Sequence, residues 1–195
     1  MALTIYNKKR NFKNTPEPKG ESGKKKSFRF VVQRHNASRL HYDFRLELGG
    51  VLKSWAVPKG PSMNPEDKRL AVMVEDHPVS YIDFEGVIPK GNYGAGLVEI
   101  WDKGLFFPIN KEIEKISENE ALLALKNGEL KVILKGEKLE GEFVLVQLKN
   151  SKNWLLIKHK DEYAVNKKYD SENFSKAHYK KSGKKKEPVR ATNKD

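Results

Sequence analysis

Residues 35–45, His-Asn-Ala-Ser-Arg-Leu-His-Tyr-Asp-Phe-Arg, decide the fold, because polar and apolar side chains alternate from residue 40 onward. Successive side chains of an extended strand point to opposite faces of a sheet. One predicted face carries the polar residues His41, Asp43, Arg45 and Glu47. The other face carries the apolar residues Leu40, Tyr42, Phe44, Leu46 and Leu48. We therefore expect one face to enter a hydrophobic core while the other builds a site.

The polar face has side chains that can bind metal ions. Imidazole and carboxylate groups together suit divalent ions such as Mn²⁺, Zn²⁺ or Fe²⁺, and a neighbouring arginine can hold a phosphate or carboxylate that the metal also contacts. His35 joins His41 and Asp43 if residues 36–40 form a hairpin turn, because the two histidines then face each other. A register shift of one residue would separate them. The alternative interpretation places all of these residues on the solvated side of an antiparallel sheet.

Length and composition narrow the class of protein. The 195 residues fit one domain, and a hydrophobic content of 37% with nine Phe, seven Tyr and three Trp is sufficient for a substantial core. Because the chain has no cysteine, any metal must be bound by His, Asp, Glu or backbone oxygen. No apolar run approaches the roughly 18 residues of a membrane span, and no leader resembles a signal peptide. We expect a cytoplasmic protein without membrane contact.

The net charge of +12 is concentrated at the two ends of the chain. Residues 1–26 contain eight Lys or Arg against two Glu, and residues 166–195 contain ten Lys or Arg against four Asp or Glu. Basic ends on a neutral body favour a polyanionic partner such as DNA, to which they add salt-sensitive attraction without sequence preference. The alternative is that Lys24–Lys26 and Lys184–Lys186 only keep the termini soluble.

Turn motifs divide the chain into short elements. Gly49-Gly50 is typical of a tight hairpin turn, and Ser117-Glu118-Asn119-Glu120 is typical of a capping box that begins a short helix ending near Gly128. The strands predicted between such motifs are Ser27–Arg34, Leu40–Leu48, Val51–Val57, Leu70–Glu75, Leu97–Trp101, Leu130–Leu134, Glu142–Gln147 and Trp154–Lys158.

This succession of short strands predicts a mainly β protein, a compact antiparallel β-barrel with one or two short helices. We expect a basic N-terminal arm over residues 1–26 and the barrel domain over residues 27–165. A basic, flexible C-terminal tail is expected over residues 166–195.

Four motifs in a fixed order resemble a known family. They are Phe30-Val31-Val32-Gln33 through Leu46-Glu47, Trp55-Ala56-Val57-Pro58-Lys59-Gly60-Pro61, Glu75-Asp76-His77-Pro78 to Tyr81, and Phe84-Glu85-Gly86-Val87-Ile88-Pro89 to Tyr93-Gly94-Ala95-Gly96. Together they resemble the phosphoesterase domain of bacterial DNA ligase D, and the likeness runs from Arg10 to about Lys160. The resemblance implies a manganese-dependent β-barrel enzyme that heals 3′ ends of DNA, including RNA-tipped ends, in double-strand break repair. It would remove a 3′-phosphate or a terminal 3′-ribonucleoside and leave a 3′-hydroxyl.

The resemblance also implies roles for individual residues. The implied ligands of Mn²⁺, or of another divalent ion, are His35, His41 and Asp43. The implied catalytic residues are His77, Arg45, Tyr81, Lys59 and Arg69, and the implied contacts to substrate or its surroundings are Gln33, Arg10 and Glu17. The chemistry agrees, because a metal, arginines and an imidazolium would stabilise the negative charge that grows on phosphate oxygens during attack. His77 can alternatively act as a general acid for the leaving oxygen.

The stretch from Arg10 to Pro18 resembles the N-terminal arm of that family, with one departure. Asn11 stands where the family usually has aspartate, which puts the diesterase step in doubt more than the monoesterase step. The chain also has no Lys-x-Asp-Gly nucleotidyl-transfer motif, although the family member is usually fused to a ligase and a polymerase. We therefore expect it to prepare ends for a separate DNA ligase and other end-joining proteins.

Two other functions fit part of the pattern. The pair His41-x-Asp43, with the distant His77, imitates the two-histidine, one-carboxylate triad of non-haem iron oxygenases. Basic ends on a strand-rich body also fit a non-catalytic nucleic-acid-binding barrel. Such a binder would take up no stoichiometric Mn²⁺ and would bind DNA equally well after His41→Ala, whereas a hydrolase would lose turnover and keep most of its DNA affinity.

Overall fold

The alternating segment forms the second strand of an antiparallel sheet, as its two-residue period predicts. The computed structural model describes residues 3–20, 27–149 and 151–176. The strands are β1 Arg29–Asn36, β2 Leu40–Leu48, β3 Val51–Val57, β4 Arg69–Met73, β5 Gly86–Ile88, β6 Gly96–Ile109, β7 Glu129–Lys135, β8 Glu140–Gln147 and β9 Asn153–Lys158. The α-helices are α1 Thr4–Lys8 and α2 Glu118–Lys126, and short 3-10 helices span Val79–Asp83 and Ser171–Phe174.

The sheet closes on itself through β6. Eight strands are hydrogen-bonded in the order β1-β2-β3-β4-β9-β8-β7-β6, and β6 pairs again with β1. Strand β5 pairs only with the start of β6, and every pairing is antiparallel. The predicted fold, a mainly β antiparallel barrel with short helices, is confirmed.

The barrel core takes one face of each strand. On β2, Tyr42, Phe44 and Leu46 are at most 2% exposed, and they share a hydrophobic cluster with Trp55 and Trp154. Because side chains alternate along a strand, the polar residues between them point away from this cluster. The candidate site therefore lies on the outer face of the barrel wall, as the two-faced pattern predicts.

Two predicted turn elements have the geometry that their residues favour. Gly49 and Gly50 have φ angles of 67° and 74°, in the left-handed region that glycine adopts most readily, and they join Leu48 to its paired residue Val51. At the start of α2, the Ser117 side chain accepts a hydrogen bond from the Glu120 backbone N–H, and the Glu120 carboxylate accepts from the Ser117 N–H. The turn fixes the register of β2 on β3, and the capping box begins the predicted helix.

Strand β6 is longer than the sequence predicts. The predicted strand covers Leu97–Trp101, but β6 runs through Gly104 and Pro108 to Ile109. Glycine and proline weaken a strand prediction, since glycine has no side chain to pack and proline has no N–H for the ladder. The long strand matters because it pairs with β1, β5 and β7 and so completes the barrel.

Residues near the N-terminus pack against the outside of the barrel wall. Tyr6 of α1 is fully buried, and it belongs to a second hydrophobic cluster with Leu3, Val31, Leu52 and Tyr81. Part of the predicted basic arm is therefore attached to the barrel beside the polar face of β2. Lys24–Lys26 lie outside the described residues.

The chain also returns to the barrel after β9. Trp101 Nε1 donates a hydrogen bond of 3.0 Å to the Ser171 carbonyl, and Ser171 Oγ donates one of 2.6 Å to the Pro61 carbonyl. Tyr169 and Ser171 are buried. Tyr169 and Ser171, which belong to the tail expected over residues 166–195, thus pack on the barrel. Residues 177–195, Lys184–Lys186 among them, lie outside the described part of the chain. The division into three regions stays a prediction. No helix among the described residues is long and apolar enough to cross a membrane.

Candidate metal and phosphate site

The hairpin of β1 and β2 brings two histidines and an aspartate together. His35 is paired with His41 in the strand register, and their rings lie 4.7 Å apart between centroids. Asp43 oxygens lie 3.5 Å from His35 Nδ1 and 3.6 Å from His41 Nε2. One donor atom from each of the three residues lies within 4.8 Å of the others, a group of metal-ligating side chains that stands alone in the described residues. The predicted register is confirmed.

Hydrogen bonds outside the group orient both imidazole rings. His35 Nε2 lies 2.8 Å from the Gly94 carbonyl oxygen, and His41 Nδ1 lies 2.9 Å from the Arg39 carbonyl oxygen. A carbonyl oxygen only accepts, so each of these nitrogens carries the proton. His35 Nδ1 and His41 Nε2 face the Asp43 carboxylate, so these are the nitrogens that would bind a metal ion held among the three residues.

The charge on Asp43 is stabilised although the side chain is buried. Burial alone would raise the pKa of its carboxyl, but the charge of Arg45 and the contacts with His35 and His41 hold that pKa well below its usual range. Arg45 Nη2 donates a 3.0 Å hydrogen bond to Asp43 Oδ2. The carboxylate is therefore ionised at neutral pH. Two imidazoles and one carboxylate fit a borderline or hard divalent cation.

Arg45 has one nitrogen available for an anion. Its Nε donates to Gln33 Oε1 at 2.7 Å, while its Nη1 is buried without a hydrogen-bond partner. Gln33 is fully buried, and its Nε2 donates to the carbonyls of Tyr81 and Phe84. A buried, unpartnered guanidinium N–H is costly, so it favours an anionic partner such as a phosphate oxygen. Gln33 lies behind Arg45 and orients it.

A cavity of about 320 Å³ opens onto these groups. Its lining includes the three metal-ligating residues, Arg45, and four residues predicted from the resemblance, Arg10, Glu17, His77 and Tyr81. Glu17 accepts hydrogen bonds from Arg10 Nε at 2.8 Å and from the Tyr81 hydroxyl at 3.1 Å. The N-terminal segment therefore forms one wall of the cavity.

His77 is held as a neutral imidazole. Its Nδ1 lies 2.9 Å from the Glu75 carbonyl oxygen and so carries the proton, and Arg10 Nη2 donates to its Nε2 at 3.1 Å. Burial, followed by the positive charges of Arg45 and Arg10, lowers the pKa of His77 well below its ordinary value. The imidazolium expected from the sequence is therefore not the form present in the free protein, because two guanidinium groups oppose a second proton.

Lys59 and Arg69 lie in a different cavity. This second cavity, of about 370 Å³, is also lined by Tyr42 and by residues 168–170. Arg69 Nη2 donates to Asp67 Oδ2 and to the Tyr169 carbonyl, each at 2.8 Å. The two residues predicted to surround the same phosphate as Arg45 do not line its cavity.

Glu75, Tyr93 and Gly94 also line the first cavity, although the sequence motifs imply no role for them. Glu75 accepts hydrogen bonds from Lys9 at 3.0 Å and from Arg10 at 3.2 Å. Gly94 has a φ angle of 77°, and its carbonyl orients His35. In the sequence, the position of Glu75 two residues before His77 is the one indication that it could reach the cavity. Loop residues have no regular periodicity, so the sequence does not show which way their side chains point.

The departure at Asn11 lies away from the cavity lining. Its Oδ1 accepts a 3.2 Å hydrogen bond from the Lys13 backbone N–H, a local turn contact on the protein surface.

His77 does not belong to the group formed by His35, His41 and Asp43. The oxygenase alternative would therefore have to use His35, His41 and Asp43 as its triad, rather than His77.

Comparison with known proteins identifies the family. Residues 33–147 match the model of the DNA ligase D 3′-phosphoesterase domain. A multifunctional non-homologous end joining protein LigD of Pseudomonas aeruginosa is 50% identical over 165 residues, covering 82% of this chain and 19% of that protein. The LigD protein of Mycolicibacterium smegmatis is 43% identical over 166 residues, covering 82% and 21%, and that of Mycobacterium tuberculosis is 42% identical over 164 residues, covering 82% and 20%.

The chain spans about a fifth of the length of these relatives. The family match covers more than half of the chain and includes β2, the second half of β1 and the loop that carries His77. The resemblance inferred from the ordered motifs is thereby confirmed: this chain belongs to the DNA ligase D 3′-phosphoesterase domain family.

Proposed function

We propose that the protein is a divalent-metal-dependent phosphoesterase that heals 3′ ends of DNA. Its substrates would be a 3′-phosphate and a terminal 3′-ribonucleoside, its product a 3′-hydroxyl end, and its metal Mn²⁺. The observation that carries the proposal is the position of Arg45, which has an unpartnered Nη1 and lines the same cavity as the converging donor atoms of His35, His41 and Asp43. A cation site beside an anion site is what a metal-assisted attack on a phosphoester requires.

The ligands and Arg45 would divide the work on the phosphate. A divalent ion held by His35, His41 and Asp43 would supply Lewis-acid activation of the phosphoester or of water. Arg45 would bind a phosphate oxygen through Nη1 and stabilise the charge that grows on it during attack. Its other two nitrogens are fixed by Gln33 and Asp43, so the guanidinium is already oriented before substrate binds.

His77 and Tyr81 would contact the substrate from another wall of the cavity. His77 enters the reaction neutral, and the negative charge of a bound phosphate would raise its pKa. It can then hold a proton for the leaving oxygen, which is general acid catalysis, or stabilise the phosphate as an imidazolium. Tyr81, whose hydroxyl donates to Glu17, would position the N-terminal segment beside the substrate.

The remaining predicted residues would bind the DNA strand rather than the reacting phosphate. Lys59 and Arg69 line the second cavity, and we propose that they contact another phosphate of the same strand. The basic ends of the chain would add salt-sensitive affinity for DNA. The 3′-hydroxyl product is the end that a DNA ligase requires, so a separate ligase and end-joining proteins are the proposed partners, and the cytoplasm the proposed location.

The test is metal-dependent conversion of defined 3′ ends. A 5′-labelled primer–template that ends in a 3′-phosphate, or in a single 3′-ribonucleotide, is incubated with EDTA-stripped protein with and without Mn²⁺. We expect conversion to a 3′-hydroxyl only with the metal, and its loss in His41→Ala. His159→Ala is the matched control, because His159 pairs with Glu142 at 2.7 Å and lies outside the cavity lining.

The same assay separates the rival functions. DNA binding without conversion of either substrate, and without stoichiometric Mn²⁺ uptake, would favour the non-catalytic barrel. Turnover that required Fe²⁺, oxygen and an organic co-substrate would favour the oxygenase.

The variant Asn11→Asp tests the departure in the arm, and we expect it to raise the rate on the ribonucleotide-ended substrate more than on the 3′-phosphate.

A further inference from the structure

Tyr93 is a large aromatic side chain left half exposed at the cavity. Its exposure is 50%, although it lines the same cavity as the metal-ligating residues. The buried Tyr6 and Tyr81 pack against each other as well as against arginines, whereas Tyr93 lies beside two cationic groups and stays half exposed. Lys9 Nζ lies 4.4 Å from the centre of its ring, and the guanidinium carbon of Arg10 lies at 5.7 Å. Lys9 covers part of the ring, while half of the residue is exposed to solvent.

The loop that carries Tyr93 is held in place from both sides. Gly94, the next residue, accepts a hydrogen bond from His35, and Asn92, the preceding one, donates to the carbonyls of Asn14 and Pro89. The Tyr93 hydroxyl lies 3.2 Å from Lys9 Nζ. The Gly94 carbonyl contacts His35, one of the three candidate metal ligands. Tyr93 is the preceding residue, and consecutive Cα atoms are only about 3.8 Å apart. Its distance from the metal-ligating group is thus fixed by the fold.

We propose that Tyr93 is a stacking platform for the terminal nucleobase of the strand whose 3′ end occupies the cavity. The proposal rests on the proposed function, because it assumes that the phosphate beside Arg45 belongs to a nucleotide. The base next to that phosphate must lie at the rim of the cavity, where the exposed part of Tyr93 is available. Every base has a π-face, so such a contact would bind any terminal nucleotide without sequence preference. Lys9 and Arg10 beside the ring are paired with Glu75 and Glu17, so the contact would depend on the ring rather than on a local excess of positive charge.

The first experiment measures stacking without catalysis. A primer–template with 2-aminopurine as its 3′-terminal base and a 3′-phosphate is titrated with metal-free protein, and fluorescence quenching reports the stacking of that base. We expect the wild type and Tyr93→Phe to quench, because both have the ring, and Tyr93→Ala to bind without quenching. Val87→Ala is the matched control: Val87 is a 61% exposed apolar residue of the neighbouring β5, and it does not line the cavity. Equal quenching in Tyr93→Ala and the wild type would overturn the proposal.

The second experiment measures whether stacking affects the reaction. The KM for a 3′-phosphate on a normal terminal nucleotide is compared with the KM for a 3′-phosphate on an abasic terminal residue. We expect the wild type to favour the normal nucleotide by about tenfold, within the range for one base–aromatic stack, and Tyr93→Ala to lose most of this ratio. Tyr93→Phe and Val87→Ala should keep it, and an unchanged ratio in Tyr93→Ala would contradict the proposal. If the wild type turned over neither substrate, the proposed function would fail, while the quenching experiment would still decide on the stacking interaction.

Discussion

Arg10 Nη2 lies 3.1 Å from His77 Nε2, so a residue of the N-terminal segment donates directly to a histidine of the cavity. The same guanidinium binds Glu17 and Glu75. Burial lowers the pKa of Arg10, but the hydrogen bond with Glu17 and its negative charge raise that pKa above its ordinary value. The N-terminal segment is thus part of the candidate site, and it helps to fix the protonation state of His77.

The protonation state of His77 predicts how stability depends on pH. In the unfolded chain His77 takes up a proton below about pH 6.5, whereas the folded protein does not until a lower pH, because burial, Arg45 and Arg10 depress the pKa. The unfolded state then binds more protons, so the free energy of unfolding falls as pH drops below 6.5, by up to about 1.4 kcal/mol per pH unit. We expect His77→Asn to flatten this dependence between pH 7.5 and 5.5 in thermal unfolding with EDTA. A slope identical to the wild type would contradict the assignment, and His159→Ala is the control.

The three metal-ligating residues should be needed for turnover more than for DNA binding. We expect His41→Ala and Asp43→Ala each to lower turnover by about 10²-fold or more, the scale seen when one charge-stabilising group is removed. Stoichiometric Mn²⁺ binding, measured by calorimetry, should fall in both variants and persist in His159→Ala. A near-wild-type rate in His41→Ala or Asp43→Ala would contradict the proposal that these residues bind the metal.

Gln33 should act through Arg45. The variant Gln33→Leu would leave Arg45 Nε and the Phe84 carbonyl without their Gln33 partner, at a cost of about 1–3 kcal/mol for each buried group, while the Tyr81 carbonyl would keep its bond from the Phe84 N–H. We expect a lower free energy of unfolding together with a lower turnover, while Mn²⁺ affinity is largely retained. Denaturant unfolding and calorimetry measure these effects separately. Unchanged turnover in a destabilised Gln33→Leu would show that the orientation of Arg45 is not limiting.

We expect residues 166–176 to contribute to the stability of the barrel and residues 177–195 to contribute to its affinity for DNA. Residues 177–195 contain seven Lys or Arg against two Asp or Glu, so their deletion should weaken DNA binding and flatten its salt dependence. The log–log slope should change by about 0.9 for each phosphate that these residues neutralise. Deletion from residue 166 should in addition lower the melting temperature, because it removes the hydrogen bonds of Ser171 with Trp101 and Pro61. If deletion of residues 177–195 left the salt dependence of DNA binding unchanged, these residues would have no role in that binding.

The barrel and the convergence of His35, His41 and Asp43 were predictable because they depend on local regularities. The alternation of β2 assigns one face to the core and the other to the site, and a short turn between β1 and β2 can place His35 opposite His41. Gly49-Gly50 and the capping box at Ser117 are local in the same sense. Strand β6 was predicted too short, because Gly104 and Pro108 weaken the local pattern that pairing with three other strands overrides.

The sequence by itself determined the fold class, the family and the residue types of a candidate metal site, since side-chain alternation, turn residues and the ordered motifs are properties of the chain. Tertiary structure alone decided that Lys59 and Arg69 line a different cavity from Arg45, that Glu75 and Tyr93 line the cavity of Arg45, and that His77 is neutral. Each of these outcomes depends on the distance between residues far apart in the chain and on the burial of their charges. Neither quantity exists until the strands have paired and the N-terminal segment has packed against the barrel wall.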